Sequence, residues 1–150
     1  MTTVSHHAPK PAEQRLLTSP VLRFIALLAL CSAYIQGLLV KIFDFAGAQA
    51  EMTHFGLLPA PLFAIGVIIF ELLMSALVLS GVYRRPAALA LAGFTLAATF
   101  IALRFWELPA GMERGMAMNG FFEHLGLAGA FLYVAAMDAT RAKGGTPWSG

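Results

Sequence analysis

The stretch LFAIGVIIFELLMSALVLSGV (62–82) is apolar throughout except for one acid near its middle, Glu71. As a helix it would be about 31 Å long at roughly 1.5 Å per residue, close to the ~30 Å of a bilayer's hydrocarbon core. Glu71 then lies about 15 Å from the end near Pro61, too deep for a short side chain to reach water. One segment thus predicts a membrane span and also raises the question of what meets a carboxyl inside it.

The rest of the 150-residue chain follows the same pattern. Hydrophobic residues make up 59% and charged residues 12%, about half the charged share of a soluble domain, and the mean hydropathy is +0.75. The apolar residues gather in four blocks, at 21–43, 61–82, 86–105 and 121–137. Each is near the ~20 residues a spanning helix needs, which predicts an all-α integral membrane four-helix bundle. A soluble bundle would need a polar stripe along each helix, and these segments lack one. A signal sequence cleaved near Cys31-Ser32-Ala33 fits poorly, because the apolar run continues past that point. Residues 1–19 are read as a flexible cytoplasmic tail, 20–138 as the membrane domain and 139–150 as a second cytoplasmic tail. His6 and His7 fall in the first tail and are not read as a metal site.

Net charge is +2, but the basic residues are spread out and do not form a nucleic-acid surface. Lys10 and Arg15 lie in the N-terminal tail with Arg23 at its junction with the first span, Arg84 and Arg85 occupy the tight second turn, and Arg141 and Lys143 follow the fourth span. The first and third loops hold Asp44, Glu51, Glu107, Glu113 and Arg114. By the positive-inside rule both termini and the second turn face the cytoplasm, placing the chain as a multi-pass protein of a bacterial cytoplasmic (inner) membrane. Cys31 is the sole cysteine, so disulfide-exchange chemistry, which needs paired thiols, has no equipment here.

The first outer loop, DFAGAQAEMTHFGLLPAP, is long enough for a short interfacial helix that Pro59 and Pro61 would end. Pro86 suits the first turn of the third span, where its missing N–H costs nothing. The third loop, WELPAGMERGMAMNG, sets Trp106 at a membrane–water boundary, and its glycines are expected to interrupt a helix. The pairs Gly93/Ala97 and Gly126/Ala130 have the small-xxx-small spacing of closely packed helices. Together with Asn119 they suggest that the face bearing Glu123 meets another helix.

Charged residues inside spans are costly and mark pathways or sites by default. Here they are Lys41, Glu71, Arg104, Glu123 and His124, with Tyr34 and Gln36 as neutral companions. Tyr34, Gly37 or Leu38, and Lys41 share one face of the first span, and Glu71 and Ser75 one face of the second. Lys41, Arg104, Glu123 and His124 lie within about a turn of the outer boundary, where long side chains can snorkel to the headgroups. Glu71 cannot. The nominal Lys41 and Glu71 levels differ by about 12 Å, so a direct ion pair requires shifted helix ends; otherwise water or a ligand headgroup lies between them. His54 and His124 sit at loop or margin positions, which does not suit haem. Met112, Met116 and Met118 read as an interfacial loop before a Cu(I) site. The sequence shows no flavin, haem or metal motif.

Four features together resemble the DoxX family of small bacterial and archaeal four-span membrane proteins. They are Gly37 followed by Lys41; FELLMSALVLSGVYRRPAAL (70–89), with Glu71, Gly81, an Arg and Pro86; Trp106 ending the third span; and FFEHLGLAGAFL (121–132) opening the fourth. The resemblance spans about residues 23–138 and implies a four-helix membrane bundle. Some members are associated with quinone-linked oxidation of sulfur compounds or with membrane complexes handling oxidative stress. It carries over Lys41 and Glu71 as polar positions and Trp106 as a boundary residue. The chain departs from the family pattern in its Gly-to-Lys spacing of four, in Arg104 where a His is common, in Glu123-His124 and in its C-terminal ending.

Two functions follow. In the first, the chain is an oxidoreductase-associated subunit. A quinone headgroup would sit in an outward-facing pocket bounded by Lys41, Glu71, Arg104, Glu123 and His124, and electrons would come from an oxidoreductase partner or a bound substrate. In the second, it is a non-catalytic accessory subunit anchored among other membrane subunits in the lipid bilayer. Whether Glu71 faces a cavity or a packed interface discriminates the two. A small transporter would want broken helices or repeats, which are absent from the sequence.

Overall fold

The computed structural model describes residues 19–144; the calls on residues 1–18, including His6 and His7, and on residues 145–150 lie outside them. Five α-helices follow in order: α1 (Pro20–Phe43), α2 (Phe45–His54), α3 (Ala60–Ser80), α4 (Arg84–Ala102) and α5 (Met112–Gly144), with a 3-10 turn at Phe105–Glu107. Among the described residues four helical stretches are long and apolar enough to cross a membrane: Pro20–Phe43, Ala60–Ser80, Arg84–Glu107 and Met112–Ala139. Large apolar side chains such as Ile25, Leu28, Ile69, Leu72, Phe100 and Leu132 point outward along them. Such a surface would aggregate in water and is at rest in hydrocarbon.

The helices form a ring in which α1 packs on α3, α3 on α4 and α4 on α5. Side chains close the fourth side: Tyr34 meets Phe131 edge to face at 5.5 Å, and Arg23 reaches Asp138. The core sits in the half nearer the termini. There Leu27, Cys31 and Tyr34 of α1, Val78 of α3, four residues of α4 (Ala87, Ala88, Leu91, Ala92) and Phe131 and Ala135 of α5 are buried together.

Punctuation is local. The Asp44 carboxylate accepts from the Gly47 N–H at 2.9 Å and starts α2, while its own N–H closes α1 on the Val40 carbonyl. Gly81 ends α3 at φ 84°, the left-handed conformation that favours glycine. Arg84 then donates from Nε to the Val78 carbonyl at 2.8 Å, pairing one of the carbonyls that a helix end leaves free.

Several expectations need correction. The fourth span, α5, begins at Met112, nine residues before the apolar block, and runs unbroken through Gly115 and Gly120. A helical glycine costs about 1 kcal/mol, which packing offsets: at Gly120 a Cβ would lie 3.4 Å from Leu103, so the bare backbone admits that side chain. The break in the third loop is at Gly111, just before the helix. The far end of α5 passes position 138 and continues to Gly144. A short helix forms in the first loop as expected but ends at His54, and Pro59 and Pro61 instead open α3. The small-residue pairs do not pack the bundle. Gly93, Ala97 and Gly126 are exposed, and a Cβ on Gly93 or Gly126 would meet nothing within 4 Å. Asn119 and Glu123 are exposed as well, so their face turns outward.

Candidate functional site

In the half of the bundle away from the termini lies a cavity of about 420 Å³, lined from α1, α2, α3, α4 and α5. It exists because α1 stops at Phe43 and α2 turns back onto the first turns of α3, where Ala48 and Met52 pack on Ala60 and Ala64. The Lys41 side chain folds back one turn along α1, bringing its ammonium beside Gly37 and closing part of the nominal difference in level with Glu71. Their side chains meet directly. Lys41 Nζ donates to both Glu71 carboxylate oxygens at 3.3 Å, and both groups line the cavity.

Gly37 makes this meeting possible. It lies one turn before Lys41 on α1, and a Cβ there would sit 3.3 Å from Lys41 Nζ and 3.6 Å from Glu71 Oε1. Glu71 is 5% exposed, so neither water nor lipid competes strongly for it. At 3.3 Å the contacts are longer than the roughly 2.7–2.9 Å of strong charge-assisted hydrogen bonds. An ammonium has three donors and a carboxylate about four acceptor sites, so each partner retains hydrogen-bonding capacity toward the cavity.

The other polar groups are arranged around this pair. Tyr34 O–H donates to Thr95 Oγ1, which in turn donates to the Leu91 carbonyl at 2.7 Å; Thr99 repeats the last contact on the Thr95 carbonyl at 2.6 Å. His124 lines the cavity from α5, and its buried Nδ1 has no hydrogen-bond partner among the described residues. Ser75, a turn beyond Glu71, is buried and likewise unpartnered there. Apolar and aromatic side chains, including Phe63, Val67, Phe94 and Ile101, form the remaining wall. This is a largely apolar chamber with an ammonium (Lys41), two carboxylates (Glu51 and Glu71) and an imidazole (His124) on its surface, the composition of small-molecule sites.

Of the sequence-derived positions, Lys41, Glu71 and His124 come together around the cavity. Arg104 and Glu123 do not line it. Arg104 pairs with Glu107 at 3.1 Å, both about half exposed, and Glu123 faces outward. His54 lies edge-on against Phe55. Met112 and Met116 are exposed, and no group of three or more His, Cys, Asp or Glu side chains forms among the described residues. The part of the site that the sequence reading missed is α2, which brings Glu51 and Met52 to the cavity. The four-residue spacing of Ala48 and Met52 was the available signal that one face of that helix is covered.

The DoxX family profile matches residues 22–104, more than half of the chain. The chain belongs to the DoxX family. The match holds Gly37, Lys41, Glu71 and Thr95 and stops before α5, so His124 lies outside the DoxX match. The inner membrane protein YphA of Escherichia coli K12 is 30% identical over 116 residues, covering 77% of this chain and 82% of YphA. No solved structure matches. With its four apolar helices, this DoxX protein is a multi-pass protein of the inner membrane.

Proposed function

We propose that the outer cavity binds the headgroup of a quinone and that the protein serves as an integral membrane subunit of an oxidoreductase system. The observation that carries this reading is the Lys41–Glu71 pair, buried yet bordering a 420 Å³ apolar chamber. A quinone is an apolar ring with two carbonyl oxygens. Lys41 is suited to donate to one oxygen, and the phenyl and aliphatic walls suit the ring. Glu71 is suited to exchange a proton with the reduced form, since it lines the cavity. His124 Nδ1 offers a further polar contact on the opposite wall. Electrons come from a partner or a directly bound donor, because the reading gives this chain no redox centre of its own.

A second reading, the non-catalytic accessory subunit, is favoured by a different observation. Gln36 is exposed on the outer side of α1, about 10 Å from the end at Phe43, and makes no hydrogen bond with the described residues. A primary amide facing hydrocarbon is costly, whereas one facing a partner's span is not. The two readings are compatible, since a subunit can hold a quinone and dock through α1.

The test is binding of an added short-chain quinone to purified protein, compared with Ala98→Phe, which fills the cavity without altering charge. Saturable binding by the wild type and its loss in the variant supports the quinone site. Equal binding by both rejects it and leaves the accessory reading.

A further inference from the structure

A second cavity, of about 720 Å³, lies at the other end of the molecule along the seam between α1 and α5. Its volume is in the range of ligand sites, roughly 300–1,000 Å³. The walls are apolar, with Leu22 and Leu30 on one side, Ala130 and Val134 on the other and Leu79 between. The charged groups, Arg23 and Arg84, line the end nearest Ser19, and Tyr133 adds a phenol on the α5 wall.

These two guanidiniums share one carboxylate. Arg23 Nη2 lies 3.4 Å and Arg84 Nη1 3.6 Å from the same oxygen of Asp138. Two positive charges against one negative leave an excess of one at the mouth. Arg84 is held in place by its bond to the Val78 carbonyl, while the Arg23 side chain is 35% exposed and keeps donors free. Both contacts to Asp138 are long and share a single acceptor, so the cluster is underbonded in anion.

We infer that this seam is a binding site for one anionic phospholipid, its acyl chain between α1 and α5 and its phosphate on Arg23 and Arg84. Basic pockets between spans are suited to anionic headgroups. A free phosphate ion would gain nothing from the apolar wall, and a zwitterionic lipid would not neutralise the excess charge. The seam is also the one side of the ring that side chains alone close, so a lipid there completes the packing of the bundle. The site is distinct from the outer cavity and does not depend on its occupant.

The test uses the full chain, purified in mild detergent, delipidated and equilibrated with phosphatidylglycerol or with phosphatidylcholine of the same acyl chains. Bound lipid is counted by native mass spectrometry. Phosphatidylglycerol is expected to be retained and phosphatidylcholine lost, and Arg23→Gln should weaken retention about fivefold. Asp138→Asn should strengthen it, because the competing carboxylate is gone. That rise separates a lipid site from a merely structural cluster, whose disruption would lower retention or leave it unchanged. Equal retention of the two lipids, no gain in Asp138→Asn, or a lipid-free dimer of the chain would each overturn the inference.

Discussion

At the scale of single residues, the Lys41–Glu71 pair governs the half of the bundle away from the termini. Removing one partner of a buried ion pair leaves the other unpaired, typically at a cost of about 3 kcal/mol or more. Lys41→Met should therefore lower stability in detergent by roughly that amount, whereas Lys41→Met with Glu71→Leu should recover most of it. A double variant as unstable as the single one would show that the pair is not the energetic unit. Gly37→Leu should act at the same place, because even a Cβ there stands 3.3 Å from Nζ and a longer side chain must part the two groups. Loss of quinone binding with the fold retained is the expected outcome, read by circular dichroism alongside a binding titration. The pair was half legible in the sequence. Glu71 stood out because nothing else in its span is charged, but its contact with Lys41 depends on where α1 ends relative to α3, and no residue count within one helix reports that offset.

At the scale of elements, the turn from α3 to α4 depends on two residues. Gly81 has a positive φ, and a Cβ on it would meet Arg84 Nη2 at 2.8 Å. Gly81→Ala should destabilise by about 1 kcal/mol or more through backbone strain alone, and further by displacing Arg84. The contrasting prediction concerns Gly93 and Gly126, where a side chain would meet nothing. Gly93→Leu or Gly126→Leu should leave the isolated chain at least as stable as wild type, with a gain of up to about 1 kcal/mol from helix propensity. A large loss would mean that these faces pack within the chain after all. Spacing alone misled here, since a small-xxx-small pair marks a surface that allows close approach and does not say whether the approach occurs. Hydropathy located all four spans but cut the fourth short. Its first turns carry Glu113, Arg114 and three methionines, which are good helix formers outside an apolar block.

At the scale of the whole molecule, the packed core lies toward the termini, with the phospholipid seam beside it, and the chamber lies at the opposite end beneath α2. The charge distribution that predicts cytoplasmic termini would turn the chamber outward. Cys31 is fully buried, so introduced cysteines can be labelled selectively. Glu113→Cys should react with an impermeant maleimide in intact cells, and Arg85→Cys only after lysis; the reverse pattern would invert the orientation. The proposal that this chamber holds a quinone headgroup is tested most directly by extracting and quantifying quinone from protein purified gently from its native membrane, comparing wild type with Glu71→Gln. The account predicts close to one quinone per wild-type chain and loss of most of it in the variant, with both proteins folded. Quinone absent from both, together with a co-purifying membrane protein that the substitution sheds, would contradict it.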